Sequence, residues 1–218
     1  MNTAQNDPLR DSLREAYDKY AQERDASEME EWKIAPRANF LSILKQEQKK
    51  TLLEIGAGPG RDSLFFQEHG LETTCIDLSP AMVALCRQKG LAARVMDMGD
   101  LQFPKESFDA VYALNCLLHL PKVEFPKVLR GIHGLLKADG LFFLGVYGGY
   151  DYEGVWESDY YTPNRFFSFF ADEHLEREVA QVFEILSFER ILAAPDNPVY
   201  SQLLVLRKPI PSRIGGGE

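Results

Sequence analysis

The stretch "TLLEIGAGPG", residues 51–60, limits what this chain can fold into more than any other segment. Thr51 to Ile55 is a short apolar run broken by one acid, Glu54. Gly56, Gly58 and Gly60 follow at every second position. A buried strand that runs into so bare a turn, and then into a helix, leaves backbone N–H groups open to a ligand. The same unit recurs downstream. Arg61 to His69 reads as a helix that Gly70 stops, and "ETTCIDL" as a second strand. Ser79-Pro80 opens a helix with a capping hydroxyl and a proline in the first position, and Gly90 closes it. "AARVMD" and "FDAVYAL" are the third and fourth strands. A helix covers Val123 to Leu136, and "KADG" turns the chain into a fifth strand, "LFFLGVY". Short apolar strands alternating with helices predict an α/β fold with a doubly wound, mostly parallel sheet covered on both faces. "FEILSFERI" and "YSQLLVLRK" follow, joined by "AAPDNPV", which is too short for a crossover helix. They predict a terminal antiparallel hairpin and a seven-stranded sheet.

Upstream, Asp7-Pro8 is a helix start, and Leu9, Leu13, Ala16, Tyr17 and Tyr20 share one face. "ERDASEMEEWK" interrupts that pattern, and a second helix begins near Pro36 with Phe40, Leu41 and Leu44 on its apolar side. The expected organisation is a helical segment over 1–50, the main domain over 51–208 with an inserted segment at 147–176, and a flexible tail at 209–218. The 218 residues suffice for one such domain with a full core. A net charge of −9 argues against a dedicated nucleic-acid binder, which needs a basic stripe. Cys75, Cys86 and Cys116 lack metal-type spacing and give no disulfide framework, and no signal peptide or membrane-length apolar run is read. The expectation is a cytoplasmic protein with no bound metal and no membrane partner; whether it forms a homodimer stays open.

The glycine turn has two main readings. The dinucleotide fingerprint G-x-G-x-x-G wants a third glycine where this chain has Arg61, and the observed spacing is G-x-G-x-G. A carboxylate at Glu54 also suits a cationic ligand better than a pyrophosphate. S-adenosylmethionine, with a sulfonium and an ammonium and no phosphate, meets that requirement. With "LLEIGAGPG" followed by "CIDLSPAMV", the stretch Thr51 to Val146 resembles the class I, Rossmann-like S-adenosylmethionine-dependent methyltransferases.

That resemblance implies a set of roles. Asp77, closing the second strand, would accept hydrogen bonds from both ribose hydroxyls, which a carboxylate can do at once. Gly56, Ala57, Gly58 and Gly60 would form the turn against the cofactor. Glu54, Asp62, Leu78 and Met82 would stand along the same surface. Asp97 would accept from the adenine amino group, with the Met98 N–H against the ring, and Asn115 would touch cofactor or substrate. Tyr17 and Tyr20 sit where lid helices of the family close, although they equally fit the helix's core stripe. Arg37 would pair with the methionine carboxylate or be a surface charge. Asp109 would fix the start of strand four. His119 is the candidate base, the alternative being a structural histidine that supports its loop.

The segment after strand five, "YGGYDYEGVWESDYYTPNRFFSFFADEHL", is dense in aromatics. In the family it walls the acceptor pocket, which makes Tyr147, Trp156, Tyr160, Tyr161, Arg165 and Phe166 substrate-side candidates. The competing reading is a lid or dimer-interface segment. N-P-P-Y motifs of nucleic-acid amine methylation are missing. The expected function is methyl transfer to a small molecule. An NAD-dependent oxidoreductase, a non-catalytic S-adenosylmethionine-binding regulator and a protein or RNA methyltransferase are the alternatives.

Overall fold

The computed structural model describes residues 7–192 and 199–210. The loop joining the last two strands and most of the tail expected at 209–218 lie outside the described residues. The elements run α1 (Pro8–Lys19), α2 (Ala21–Ala26), a 3-10 turn (Glu31–Lys33), α3 (Ile34–Gln46), β1 (Thr51–Ile55), α4 (Arg61–Glu68), β2 (Glu72–Asp77), α5 (Pro80–Gln88), β3 (Ala92–Val95) and β4 (Phe108–Leu114). A second 3-10 turn (Leu117–His119), α6 (Phe125–Leu135), β5 (Leu136–Gly148), β6 (Tyr152–Val155), β7 (Phe166–Phe169), α7 (Asp172–Ala180), β8 (Glu184–Leu192) and β9 (Tyr200–Arg207) complete the fold.

Seven strands form one sheet in the order β3-β2-β1-β4-β5-β9-β8. β1, β2, β3, β4 and β5 are parallel, and β9 runs antiparallel between β5 and β8. The strand order reverses between β1 and β4, so the crevice at their carboxyl ends is the place such sheets bind ligands. β1 shows why the sheet is buried on both sides. Leu53 and Ile55 pack into the cluster with Val111, Phe142 and Leu144, while Leu52 packs into the cluster with Phe40, Tyr112 and Phe143. Each such side chain contributes about 1.5–3 kcal/mol by leaving water. Asp109 ties the start of β4 to β1: it accepts from the backbone N–H groups of Lys50 and Thr51 at 3.0 and 2.9 Å and pairs with Lys137 at 2.9 Å. Partial burial would raise its carboxyl, but these donors hold it down at about 2.

Two segments depart from the sequence reading. The charged stretch 23–33, which interrupts the apolar pattern, holds most of α2 and a 3-10 turn. Ala21 buries against Met82 and Leu85, and the Arg61 guanidinium donates to the carbonyls of Arg24, Asp25 and Ser27 at the end of α2. Those long-range partners stabilise a helix too short to stand alone. The aromatic segment contains a second sheet, the antiparallel pair β6-β7, whose Phe167 and Phe169 join the main core.

Candidate active site

A cavity of about 580 Å³ opens at the carboxyl ends of β1, β2, β4 and β5. Its floor is the turn after β1. Gly56 has φ +68°, and a Cβ there would meet the Cys116 Cβ at 2.3 Å, so glycine is required by both conformation and packing. Gly58 also has positive φ, yet a Cβ there would meet nothing within 4 Å. Its N–H donates to Asp77 Oδ2 at 2.8 Å. Gly60 is not among the residues lining this cavity and N-caps α4.

Asp77 is held from both sides, because Oδ1 accepts from the Ser79 N–H at 2.8 Å. Burial pushes its carboxyl up against those two donors. Asp77 lines the cavity, and each of its oxygens can accept a further hydrogen bond. Glu54 is 4% exposed and accepts from the Ser63 hydroxyl. Burial, and then the nearby Asp62, push its carboxyl well up. Burial also raises Asp62, although Arg37 pairs with it at 2.9 Å. Asn115 takes a left-handed backbone, φ +55°, and its buried Oδ1 has no hydrogen-bond partner among the described residues. Ala57, Leu78 and Met98 complete this side. A smaller cavity of about 30 Å³ adjoins it and is lined by Asp97 and Met98. Asp97 accepts from the Gly99 N–H at 2.7 Å and pairs with Arg10.

The opposite wall brings four distant residues into one chain of hydrogen bonds. His119 Nδ1 lies 2.8 Å from the Phe166 carbonyl, which fixes the proton on Nδ1. Its Nε2 therefore accepts from the Tyr17 hydroxyl at 2.7 Å. That hydroxyl in turn accepts from Arg165 at 3.1 Å, and Asp159 grips Arg165 through two bonds of 2.8 Å. Burial brings His119 down to about 3, so the ring is neutral. Burial pushes the Tyr17 phenol up, although Arg165 and Arg24 pull the other way.

Most of the candidates read from sequence meet at this cavity. Tyr147, Trp156, Tyr160 and Arg165 stand on its walls. Burial pushes the Tyr147 phenol up to about 12. Others lie beside it. Tyr20 packs on Tyr161 and Tyr160, and Met82 is buried under α2. Tyr161 accepts from Arg24 at 2.9 Å and lies 3.8 Å beneath Arg165. Phe166 contributes its carbonyl to His119. Arg37 is engaged by Asp62 and by the Phe65 ring at 4.0 Å, and it lines neither cavity. The sequence reading passed over Arg24, Lys33 and Asp159, all of which line the cavity. Arg24 and Lys33 fall in the stretch read as an interruption. Asp159, six residues before Arg165, carried a signal only as its nearest acid.

The donor set fits S-adenosylmethionine. Asp77 can meet a diol, and Glu54 and the unpartnered Asn115 oxygen offer acceptors to an ammonium. The open Gly58 lets a ligand lie on the turn.

Comparison with known proteins agrees with the class defined by this fold and site. Residues 53–144 match the family described as "Methyltransferase domain". Over that span, less than half of the chain, the sequence is similar to a methyltransferase domain. Phosphoethanolamine N-methyltransferase of Plasmodium falciparum is 23% identical over 173 residues, covering 76% of this chain and 63% of that protein. A ubiquinone biosynthesis O-methyltransferase of Xanthomonas oryzae is 34% identical over 117 residues, covering 50% of this chain and 48% of that protein. The chain thus spans less than two thirds of the length of either relative. Among solved structures, 1,6-didemethyltoxoflavin-N1-methyltransferase of Burkholderia thailandensis, with its substrate and S-adenosylhomocysteine bound, shares the fold. Its TM-score is 0.71 at 22% identity, over 96% of this chain and 92% of that one. No helix among the described residues is long and apolar enough to cross a membrane.

Proposed function

We propose that this protein transfers a methyl group from S-adenosylmethionine to a small-molecule acceptor. The observation that carries the reading is the opposition of the two walls. A glycine turn with Asp77 and Glu54 faces a neutral tyrosine–histidine pair across one cavity. The methyltransferases named above act, by their names, on phosphoethanolamine, a ubiquinone precursor and a toxoflavin precursor, which supports a small acceptor here.

When bound, the cofactor supplies a methyl group activated by positive sulfur. Asp77, itself oriented by the Gly58 and Ser79 N–H groups, would hold the nucleoside end. Glu54 and Asn115 accept from the ammonium, and a carboxylate this deeply buried gains most from a cationic partner. The α1–α2 segment covers the cavity and excludes water. Tyr17 faces the acceptor side, where its oxygen, oriented by His119 Nε2 and Arg165, can accept a hydrogen bond from the group to be methylated. Positioning of two reactants in one cavity lowers the barrier by as much as about 7–11 kcal/mol.

Calorimetry with S-adenosylhomocysteine, beside a thermal-shift comparison with NAD, tests the cofactor. Micromolar binding of the first and no response to NAD are expected, and the reverse result would overturn the reading. Transfer of labelled methyl into a metabolite extract tests turnover. A second reading has one specific support. A [4+2]-cyclase, SpnF, shares this fold with a TM-score of 0.62 over 79% of this chain, at 19% identity. Tight cofactor binding with no label transferred to any compound would favour a protein that keeps the fold without methyl transfer.

A further inference from the structure

Building on the methyltransferase reading, we propose that the acceptor carries a compact anionic group, a carboxylate or a phosphate, and that Arg24 receives it.

Arg24 reaches into the cavity from α2. One guanidinium nitrogen donates to the Tyr161 hydroxyl at 2.9 Å. Its Nε is buried with no hydrogen-bond partner among the described residues. No carboxylate of the described residues pairs with it, whereas the other cavity cations are engaged. Asp159 holds Arg165 at 2.8 Å, and Glu30 holds Lys33 at 2.9 Å. Arg61 is taken up by the carbonyls of Arg24, Asp25 and Ser27. A buried guanidinium N–H without an acceptor is costly until a ligand atom completes it.

The surroundings have the sign that an anion needs. Arg24 lies over the Tyr17 ring at 5.6 Å, and Arg165 lies over the same ring at 5.5 Å. Two guanidinium groups therefore stand by the Tyr17 ring; only Arg165 is paired with a carboxylate, Asp159, and the His119 beside them is neutral. Removed from water, that surplus positive charge attracts a compact anion strongly. The aromatic walls, Tyr147 and Trp156 among them, fit a planar body behind the anionic group. The carboxylate of the cofactor is the competing occupant. Lys33 is the cation set beside Asp62, at the Glu54 end of the cavity, and acts on that carboxyl. Arg24 instead keeps company with Tyr17, Tyr161 and Arg165. Its field reaches Asp77 as well, so the experiment has to separate the two occupants.

Calorimetry on wild type, Arg24→Gln and Arg24→Lys does so. S-adenosylhomocysteine is titrated first, and 5′-methylthioadenosine, which lacks the amino-acid group, is titrated in parallel. Benzoate, phenyl phosphate and uncharged phenol are then titrated into the S-adenosylhomocysteine complex. Both variants are expected to bind S-adenosylhomocysteine within about twofold of wild type, which also reports that they are folded. Wild type is expected to bind at least one of the two anions, and whichever is tighter separates a carboxylate from a phosphate acceptor. That binding should weaken at least roughly tenfold in Arg24→Gln, recover in part in Arg24→Lys, and leave phenol unaffected. Equal anion binding by wild type and Arg24→Gln, or no anion binding by wild type, overturns the proposal. A loss of S-adenosylhomocysteine affinity in Arg24→Gln with methylthioadenosine unchanged assigns Arg24 to the cofactor and overturns it too. Wild type that fails to bind S-adenosylhomocysteine removes the methyltransferase reading itself, a distinct result.

Discussion

The floor and the far wall of the cavity are built by different means. On the floor, Gly58 donates to a carboxylate 19 residues away, and Ser63 to one 9 residues away. On the far wall, Tyr17 meets His119 across 102 positions and Arg165 across 148. The floor is acidic, with Glu54, Asp62 and Asp77 all raised above their ordinary range. The far wall gathers cations around a neutral histidine. A floor made from one strand, its turn and the next strand keeps its shape with the sheet. A wall assembled from α1, the turn after β4 and β7 exists only when the N-terminal helices are docked. On the proposed reading the cofactor side rests on contiguous elements, and the acceptor side depends on the docked N-terminal helices.

The sharpest way to break this division is Asp77→Ala. The substitution removes a charged acceptor from the floor alone, and S-adenosylhomocysteine affinity is expected to fall by about 2–3 kcal/mol, roughly 100-fold. Calorimetry reads it, and unchanged affinity would remove Asp77 from the site.

The second prediction sets the two halves against each other in pH. His119 falls from 6.5 to about 3 on folding, so the unfolded chain binds the proton more readily. Its contribution is complete above 6.5 and is lost as the pH falls toward 3, amounting to about 2 kcal/mol by pH 5. Glu54 has the opposite sign. Its folded carboxyl is raised above 4.5, so its contribution is present below that value and fades as pH rises. Urea unfolding between about pH 5 and 7.5 should show His119→Asn losing less stability than wild type toward acid. Glu54→Gln should lose less toward neutral pH. Parallel curves for both variants would mean that the two walls do not differ in this way.

The smallest effect lies at the seam. Arg10 on α1 pairs with Asp7, Asp97 and Glu124, all about a quarter exposed. Arg10→Gln should cost about 1 kcal/mol or less at low salt, and the cost should shrink in about 1 M salt. A loss that salt leaves intact would show α1 docked by packing alone.

The two halves were also unequally legible. A strand, its turn and the following helix are contiguous, so the apolar run at β1, the three glycines and the acid ending β2 announced the floor without any knowledge of packing. The alternation of elements likewise specified the sheet, including the closing hairpin, because period and turn chemistry are local properties. Helical period also placed Tyr17 and Tyr20 on one face, but period does not say what a face meets. Docking turned Tyr17 toward His119 and Tyr20 against Tyr160 and Tyr161. It gave Arg37 to Asp62 and left Arg24, from a stretch without visible period, in the cavity. Pairing of β6 with β7 turned an aromatic run into a wall. The chain's own letters therefore determined the half that binds through backbone and near neighbours. Tertiary structure alone decided the half that hangs on Tyr17 meeting His119 and Arg165 over a hundred positions away, because such contacts depend on how whole elements pack and leave no periodic trace.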